Sequence, residues 1–403
     1  MAEKALAGVK VVAFIQGITG PITTSTLAAY GAEVVRIETQ TRLEWHRQAG
    51  PFVGNISQPD RATPYLFVNA GQMGVTLNLK KPRAMDVMRR IIRWADVVVE
   101  NFSGATMKSM GLGYEDLRQI RPDIIMLSAA IFGQTGPMAE VRGYGGTLTA
   151  LTGMAGVTGF ADQLPQFPGF AITDFIAPRA NVLAIVSALD YRRRTGKGQY
   201  IDAAQAESAF PLLTPVVLQY QANGVEAERM GNRSTCAAPH GVYKCKGTDR
   251  WCTITVFNDQ QWRGFCQAIG SPDWCRSERF ATLLGRLHSI DELDRLVEEW
   301  TMQRTPEEVM DLLQAAGVPA GVVQGGQDLD GDPHLRHRQF YWKLEDHEFG
   351  AFTYMGMPAK LSRTPYEMRR APRLGEHNEQ FYIGVLGMSD EEFVSYMAEG
   401  VFE

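Results

Sequence analysis

Residues 9–38 read VKVVAFIQGITGPITTSTLAAYGAEVVRIE. An apolar, β-branched run, VKVVAFI, leads into a turn at Gly17-Ile18-Thr19-Gly20-Pro21, then an amphipathic segment from Thr24 to Tyr30, then a second strand-like run, EVVRIE. A strand, a helix and a strand in that order make a βαβ unit, whose crossover places the two strands parallel. The turn opens like a Rossmann-type fold but lacks the G-x-G-x-x-G pattern, so it gives a nicotinamide or flavin cofactor little support.

The alternation continues through VTLNL, a helical stretch from Pro82 to Trp94, DVVVE and DIIMLSA. The fold class expected is therefore α/β, a Rossmann-like large domain with a parallel sheet covered by helices. A helix is expected from Phe175 to about Arg194, with Val182, Ile185, Val186 and Leu189 on its buried face and a stop at the Thr195-Gly196-Lys197-Gly198 turn. Another apolar helix is expected near Ala203 to Tyr220. The stretch after it, rich in Gly, Asn and charge, reads as a linker. Beyond it, GVYKCKGTDRWCTITV has the form of a hairpin, with helices at Asp259 to Ile269, Ser289 to Met302 and Pro306 to Ala316. The division expected is a large domain over 1–220, a linker over 221–235, a small α+β domain over 236–324, and a linker and C-terminal segment over 325–403.

Composition narrows the function. A chain of 403 residues is too long for one ordinary core, and 45% hydrophobic content supports packed domains. A net charge of -5 spread over that length leaves no electrostatic footprint for nucleic acid. The start, MAEKALAGVKVVAFI, fits neither a signal peptide nor a membrane span, and no later stretch is expected to reach membrane length. The five cysteines are odd in number and match no paired CxxC spacing. They read as reduced thiols of a cytoplasmic protein.

Several segments, taken in order, resemble the class III coenzyme A transferases and the related α-methylacyl-CoA racemases. They are LAGVKVVAF, YGAEVVRIE, ADVVVENFSGATMKSMGLGYEDL, RPDIIMLSAAIFGQTGP, AITDF, RRRTGKGQYIDAAQAESA, LGEHNE and GVLGMSDEEF, and they span nearly the whole chain. The resemblance implies a large domain built from both ends of the chain, a small inserted domain, and two interlinked chains, either identical or paralogous. It also implies acyl-CoA and carboxylic acid substrates, coenzyme A as cosubstrate, no tightly bound metal or redox cofactor, and no nucleic-acid or membrane partner.

Asp174 aligns with the family's catalytic aspartate. Its position directly before an apolar-periodic helix also makes it a favoured N-cap, held as the anion by the helix dipole. Position alone leaves a purely structural cap open; the resemblance makes Asp174 the carboxylate that attacks the thioester. Gln134, in Phe132-Gly133-Gln134-Thr135-Gly136-Pro137, is the expected polar contact to the acyl or carboxylate group, although Gly and Pro there also suit an ordinary turn. Coenzyme A carries phosphates, so Arg and Lys are expected near it. By resemblance, Arg142, Asn101, Phe102 and Lys108 lie along the coenzyme.

The chain departs from the family pattern in three places. Asn69-Ala70-Gly71-Gln72-Met73-Gly74 lacks the usual basic residues, which leaves Arg36, Arg42 or Arg47 as expected phosphate partners. Pro178 stands where Gly is usual, expected in the first turn of its helix. The glycine-rich loop that covers the aspartate in some formyl-CoA transferases is replaced by Val256-Phe257-Asn258-Asp259-Gln260-Gln261-Trp262, which leaves room for bulkier acyl groups. The resemblance suggests an aromatic or dicarboxylic acid such as benzylsuccinate, with succinyl-CoA as donor. An acyl-CoA racemase of the same fold, and a non-catalytic subunit of a heteromeric transferase, are the alternatives. Racemases carry a His-Asp pair where this chain has Tyr144-Gly145.

Overall fold

The computed structural model describes residues 4–403. Its central sheet has six strands: β1 (Lys10–Phe14), β2 (Glu33–Glu38), β3 (Met73–Thr76), β4 (Val97–Glu100), β5 (Ile125–Ala130) and β6 (Tyr200–Ala204). All neighbours are parallel and the order is β3-β2-β1-β4-β5-β6. This is the Rossmann order, in which the chain builds outward on one side of β1 and then reverses to build on the other.

Alternate residues of each strand face opposite layers, and both layers are covered. Val12, Val35, Val98 and Met126 point to one face, against Val87, Met88, Ile91 and Ile92. Val11, Val34, Val97 and Ile125 point to the other, against Leu27, Ile185 and Ala188. The covering helices are α1 (Thr19–Ala29), α2 (Ala84–Trp94) and α4 (Ile172–Thr195); α3 (Gly145–Leu151) packs against α4, and α5 (Thr214–Asn223) has no buried residue. Buried positions 84, 87, 88, 91 and 92 of α2 give the spacing of one helical face.

The C-terminal segment returns to β3, at the edge of the sheet. His377 Nδ1 accepts the Gly74 N–H at 3.1 Å, and Asn378 Oδ1 accepts the Thr76 N–H at 2.8 Å. The Tyr382 hydroxyl donates to the Thr76 carbonyl at 2.9 Å. The LGEHNE motif thus satisfies backbone groups that an edge strand would leave open.

The chain divides into two compact units. One holds the described residues up to Met154, with Pro168–Gly224 and His334–Glu403; the other holds Ala155–Phe167 and Val225–Pro333. The second has an antiparallel sheet of β7 (His240–Lys244), β8 (Trp251–Thr255) and β9 (Ala320–Val322). It packs with α6 (Asp259–Ala268), α7 (Ile290–Thr301) and α8 (Pro306–Ala315) around Trp262, Phe265, Phe280 and Val309. Helix α8 starts in a capping box, Thr305 and Glu308 each accepting the other's backbone N–H. In the first unit, β10 (Tyr341–Asp346) and β11 (Gly350–Met355) form a hairpin, and α9 (Asp390–Ala398) closes the chain.

Four expectations are corrected. The stretch expected to be helical from Ala203 begins as β6, which extends the parallel sheet, and α5 starts only at Thr214. Helix α4 starts at Ile172, three residues before Phe175, so Pro178 lies inside the helix and not in its first turn. Val186 is 39% exposed, and the buried face runs instead through Ala177, Asn181, Ile185 and Ala188. By length and composition alone α4, at 24 residues, could cross a membrane, which no stretch was expected to do; here it packs on α1 and the sheet.

Candidate active site

The C-terminal ends of β1, β4, β5 and β6 converge on one rim of the sheet, where open α/β folds bind their ligands. Each strand end delivers a short loop with polar side chains. After β1 comes Thr19, at the start of α1; after β4, Asn101; after β5, Gln134; after β6, Gln205.

Asp174 joins this rim from α4. Its Oδ1 accepts the Thr19 hydroxyl at 3.0 Å and the Gln205 amide. The other hydrogen of that amide goes to Thr173 Oγ1 at 3.2 Å, which fixes the amide plane. Gln205 is set in place because its backbone N–H continues the β6-to-β5 pairing at the Ala130 carbonyl, 2.9 Å away. The second oxygen, Oδ2, faces Gly145. A Cβ on residue 145 would lie 2.7 Å from Oδ2, so only glycine leaves that oxygen uncrowded.

Burial pushes the Asp174 carboxyl above its ordinary range, while the Gln205 and Thr19 hydrogen bonds and nearby His46 pull the other way. The expectation of a simple N-cap anion is therefore corrected. Ala171 holds the cap position, Asp174 sits within the first turn, and desolvation outweighs the stabilisation of the anion. Pro178 also acts here, because it has no N–H to offer the Asp174 carbonyl four residues earlier.

Behind the cradle lies a buried ion network. Arg36 pairs with Glu44 and, at 3.4 Å, with Glu38; Arg47 pairs with Glu38 at 2.7 Å and with Asp60 at 2.5 Å. Arg36 also donates to Asn69. Burial opposes the charge on Glu38 and Glu44, and Arg36 overcomes it, holding both carboxyls below their usual range. Glu44 Oε1 in turn accepts the Gly17 N–H at 2.7 Å, tying the network to the turn that carries Thr19. His46 is 3% exposed and lies against Trp45, with ring centroids 3.8 Å apart and the planes tilted by 41°.

The other expected residues divide by accessibility. Arg42, Lys108 and Arg142 are exposed. Arg36 and Arg47 are fully buried and ion-paired, so neither is free to meet a coenzyme phosphate, which corrects the expectation for both. The Asn101 amide is likewise engaged at both ends: its Oδ1 accepts the Gln16 N–H at 2.8 Å and its Nδ2 donates to the Gln16 carbonyl at 2.7 Å. Phe102 packs against the core beside β4. Gln134 is held by carboxylates, its N–H bonding Asp202 at 2.8 Å and its amide reaching Glu100 at 3.4 Å and the Phe102 carbonyl at 3.5 Å. Burial raises the Glu100 carboxyl to about 7. Among the described residues, no cluster of three or more His, Cys, Asp or Glu could hold a metal.

Thr19, Gln205 and His46 were not singled out in the sequence. Thr19 and Gln205 share one usable signal: each lies just beyond the C-terminal end of a parallel strand, Gln205 directly after β6 and Thr19 at the end of the turn that follows β1.

A sequence profile of CoA-transferase family III matches residues 6–378. The chain belongs to CoA-transferase family III. As a family III enzyme it is similar to a succinyl-CoA–D-citramalate CoA-transferase of Chloroflexus aurantiacus, 30% identical over 391 residues, 95% of this chain and 94% of that protein. A formyl-CoA:oxalate CoA-transferase of Rhodopseudomonas palustris is 31% identical, the match covering 99% of this chain and 98% of the relative. Among solved structures, a CaiB/BaiF family protein from Brucella suis superposes with a TM-score of 0.86 at 30% identity, over 95% of this chain and 99% of its own. Family III activity takes coenzyme A as substrate, and the fold described above is the family's.

Proposed function

We propose that the protein moves coenzyme A from an acyl-CoA donor to a carboxylic acid acceptor through covalent intermediates on Asp174. In this reading Oδ2 attacks the donor thioester carbonyl and gives a mixed anhydride and CoA thiolate. The thiolate returns to the aspartyl carbon, the donor acid leaves, and an aspartyl-CoA thioester remains. The acceptor carboxylate then attacks that carbon and expels CoA thiolate, giving a second anhydride; the thiolate attacks the acceptor's carbonyl carbon, which forms the new acyl-CoA and releases the Asp174 carboxylate. The observation that carries the reading is the asymmetry of Asp174: one oxygen is held by two donors, and the other faces a residue without a side chain. A fixed, oriented carboxylate avoids orientation entropy that is worth up to roughly 7–11 kcal/mol in favourable cases.

The exposed Arg42, Lys108 and Arg142 are proposed to meet the phosphates, with Phe102 along the coenzyme. The acceptor is proposed to be a dicarboxylic or aromatic acid, benzylsuccinate with succinyl-CoA being the pair to try first. Its support is the D-citramalate and oxalate in the relatives' names and the aromatic side chains around the nucleophile. Trp45 meets Tyr144 edge-on at 6.1 Å, and Phe175 lies 6.5 Å from Phe67 and 6.3 Å from Phe170. The working unit is proposed to be a dimer, because α4 and α5 present Leu183, Val217, Leu218 and Tyr220 to solvent. Five free thiols fit a reducing, cytoplasmic setting.

The test is chemical trapping. Incubation with the donor acyl-CoA should leave an activated acyl group on the peptide containing Asp174, captured by hydroxylamine and reduced by borohydride. Asp174→Asn should fold and bind coenzyme A yet lose activity by several orders of magnitude. Retention of a tenth or more of the wild-type rate (roughly, on the scale of losses for an activated nucleophile), with no trapped label, would refute the assignment.

A further inference from the structure

We infer that Thr19 and Gln205 form an oxyanion-binding pair for the reactions at the Asp174 carboxyl carbon, and so are catalytic groups in the transfer cycle. The inference rests on the nucleophile assignment above and goes one step further into the chemistry.

In the mixed anhydride, Cγ of Asp174 is double-bonded to Oδ1 and single-bonded to Oδ2, which carries the donor acyl group. When the CoA thiolate forms its bond to Cγ, the π electrons of the carbonyl move onto Oδ1. Collapse restores the carbonyl, breaks the Cγ–Oδ2 bond and releases the donor acid as its carboxylate, with Oδ2 as one of its oxygens. Acceptor attack on the aspartyl-CoA thioester repeats the sequence, with CoA thiolate as the leaving group. At both stages a full negative charge develops on Oδ1, the oxygen that Thr19 meets at 3.0 Å and that Gln205 also bonds.

The two donors are also held in advance. Thr19 is 4% and Gln205 8% exposed, so neither bond is diluted by bulk water. Thr173 fixes the Gln205 amide, and α1 is fastened to α4 by the Asn181 amide on Thr23. Preorganised donors aimed where charge appears lower the barrier, and they do so most when the preceding state is a neutral carbonyl.

This gives a step-selective signature. In the first step charge leaves the Asp174 carboxylate, so donors on Oδ1 do not assist it. In the second step charge arrives on Oδ1, and they do. A residue that merely supported the fold would slow both.

The experiment uses the full-length enzyme with succinyl-CoA, quenched in acid at increasing times, with mass spectrometry of the peptide containing Asp174. The wild type should pass quickly to the CoA adduct. Thr19→Val and Gln205→Leu should form the succinyl adduct at close to the wild-type rate and the CoA adduct about a hundredfold more slowly, the loss usual for one oxyanion donor. Thr19→Ser, which keeps the hydroxyl, should restore the wild-type ratio. Equal slowing of both adducts, or CoA-adduct rates within about threefold of wild type in both variants, would overturn the inference. A wild-type enzyme that carries neither adduct would instead remove the nucleophile assignment, and the inference with it.

Discussion

Thr23 of α1 accepts the side-chain amide of Asn181 of α4 at 3.3 Å, one turn along α1 from Thr19 and two turns along α4 from Asp174. Both residues are buried, so the pair sets the register of the two helices that carry the nucleophile and one of its donors. Asn181→Ala should cost about 1–3 kcal/mol in urea unfolding. Because the helices can then slide, kcat should fall while KM for acyl-CoA stays near wild type.

Glu100 should impose a pH dependence on stability. The residue is 2% exposed, and burial raises its carboxyl from 4.5 to about 7 in the folded chain. Between those values the unfolded chain has released a proton that the folded chain retains, so stability should fall as pH rises through the window and level off above it. The full effect is on the order of 3 kcal/mol. Glu100→Gln should flatten the profile of denaturation midpoint against pH; an unchanged slope would show that Glu100 titrates normally.

The arginines should separate by experiment as they do by position. Arg36→Met removes one partner of a buried pair and should destabilise the fold by about 3–5 kcal/mol. Arg142→Ala and Lys108→Ala should leave the melting temperature unchanged and raise KM for acyl-CoA, with the largest effect at low salt. A stable Arg36→Met protein with weakened coenzyme binding would reverse these roles.

The exposed faces of α4 and α5 should be covered in solution by a second chain. Light scattering should give a dimer, and the paired change Leu183→Asp with Leu218→Asp should yield monomer or aggregate with reduced activity. A fully active monomer at assay concentration would contradict the dimer.

Transfer, not epimerisation, should be the reaction. An α-methylacyl-CoA incubated in deuterium oxide should retain its α-proton, because Tyr144 and Gly145 stand where racemases carry the His-Asp pair that would supply a second acid or base. His46 bears on the charge of Asp174 from nearby, so wash-in abolished by both Asp174→Asn and His46→Ala would identify an epimerising pair.

The parallel sheet was legible because strands buried on both faces are continuous apolar runs, as in VKVVAFI and DVVVE. Asp174 was singled out by its motif. Tyr200–Ala204 was not, because YIDAA is a half-exposed edge strand with a weak apolar pattern. Missing that strand placed Gln205 inside an expected helix and away from Asp174. Arg36 was read as a phosphate partner, although a charged residue in a central parallel strand, two positions from Glu38, must be buried and paired. The Thr19–Asp174 contact joins residues 155 apart in sequence, and no local pattern encodes it.

The covering of β3 by His377 and Asn378 has a consequence for biosynthesis. The strand is made early, and the residues that satisfy Gly74 and Thr76 follow 303 and 302 positions later. The nascent chain therefore carries an open sheet margin until residues 377 and 378 have left the ribosome, and the large unit closes only then. A premature stop before Leu374 would release a chain whose Rossmann sheet still offers unpaired backbone to its neighbours, the condition under which truncated α/β proteins associate edge to edge.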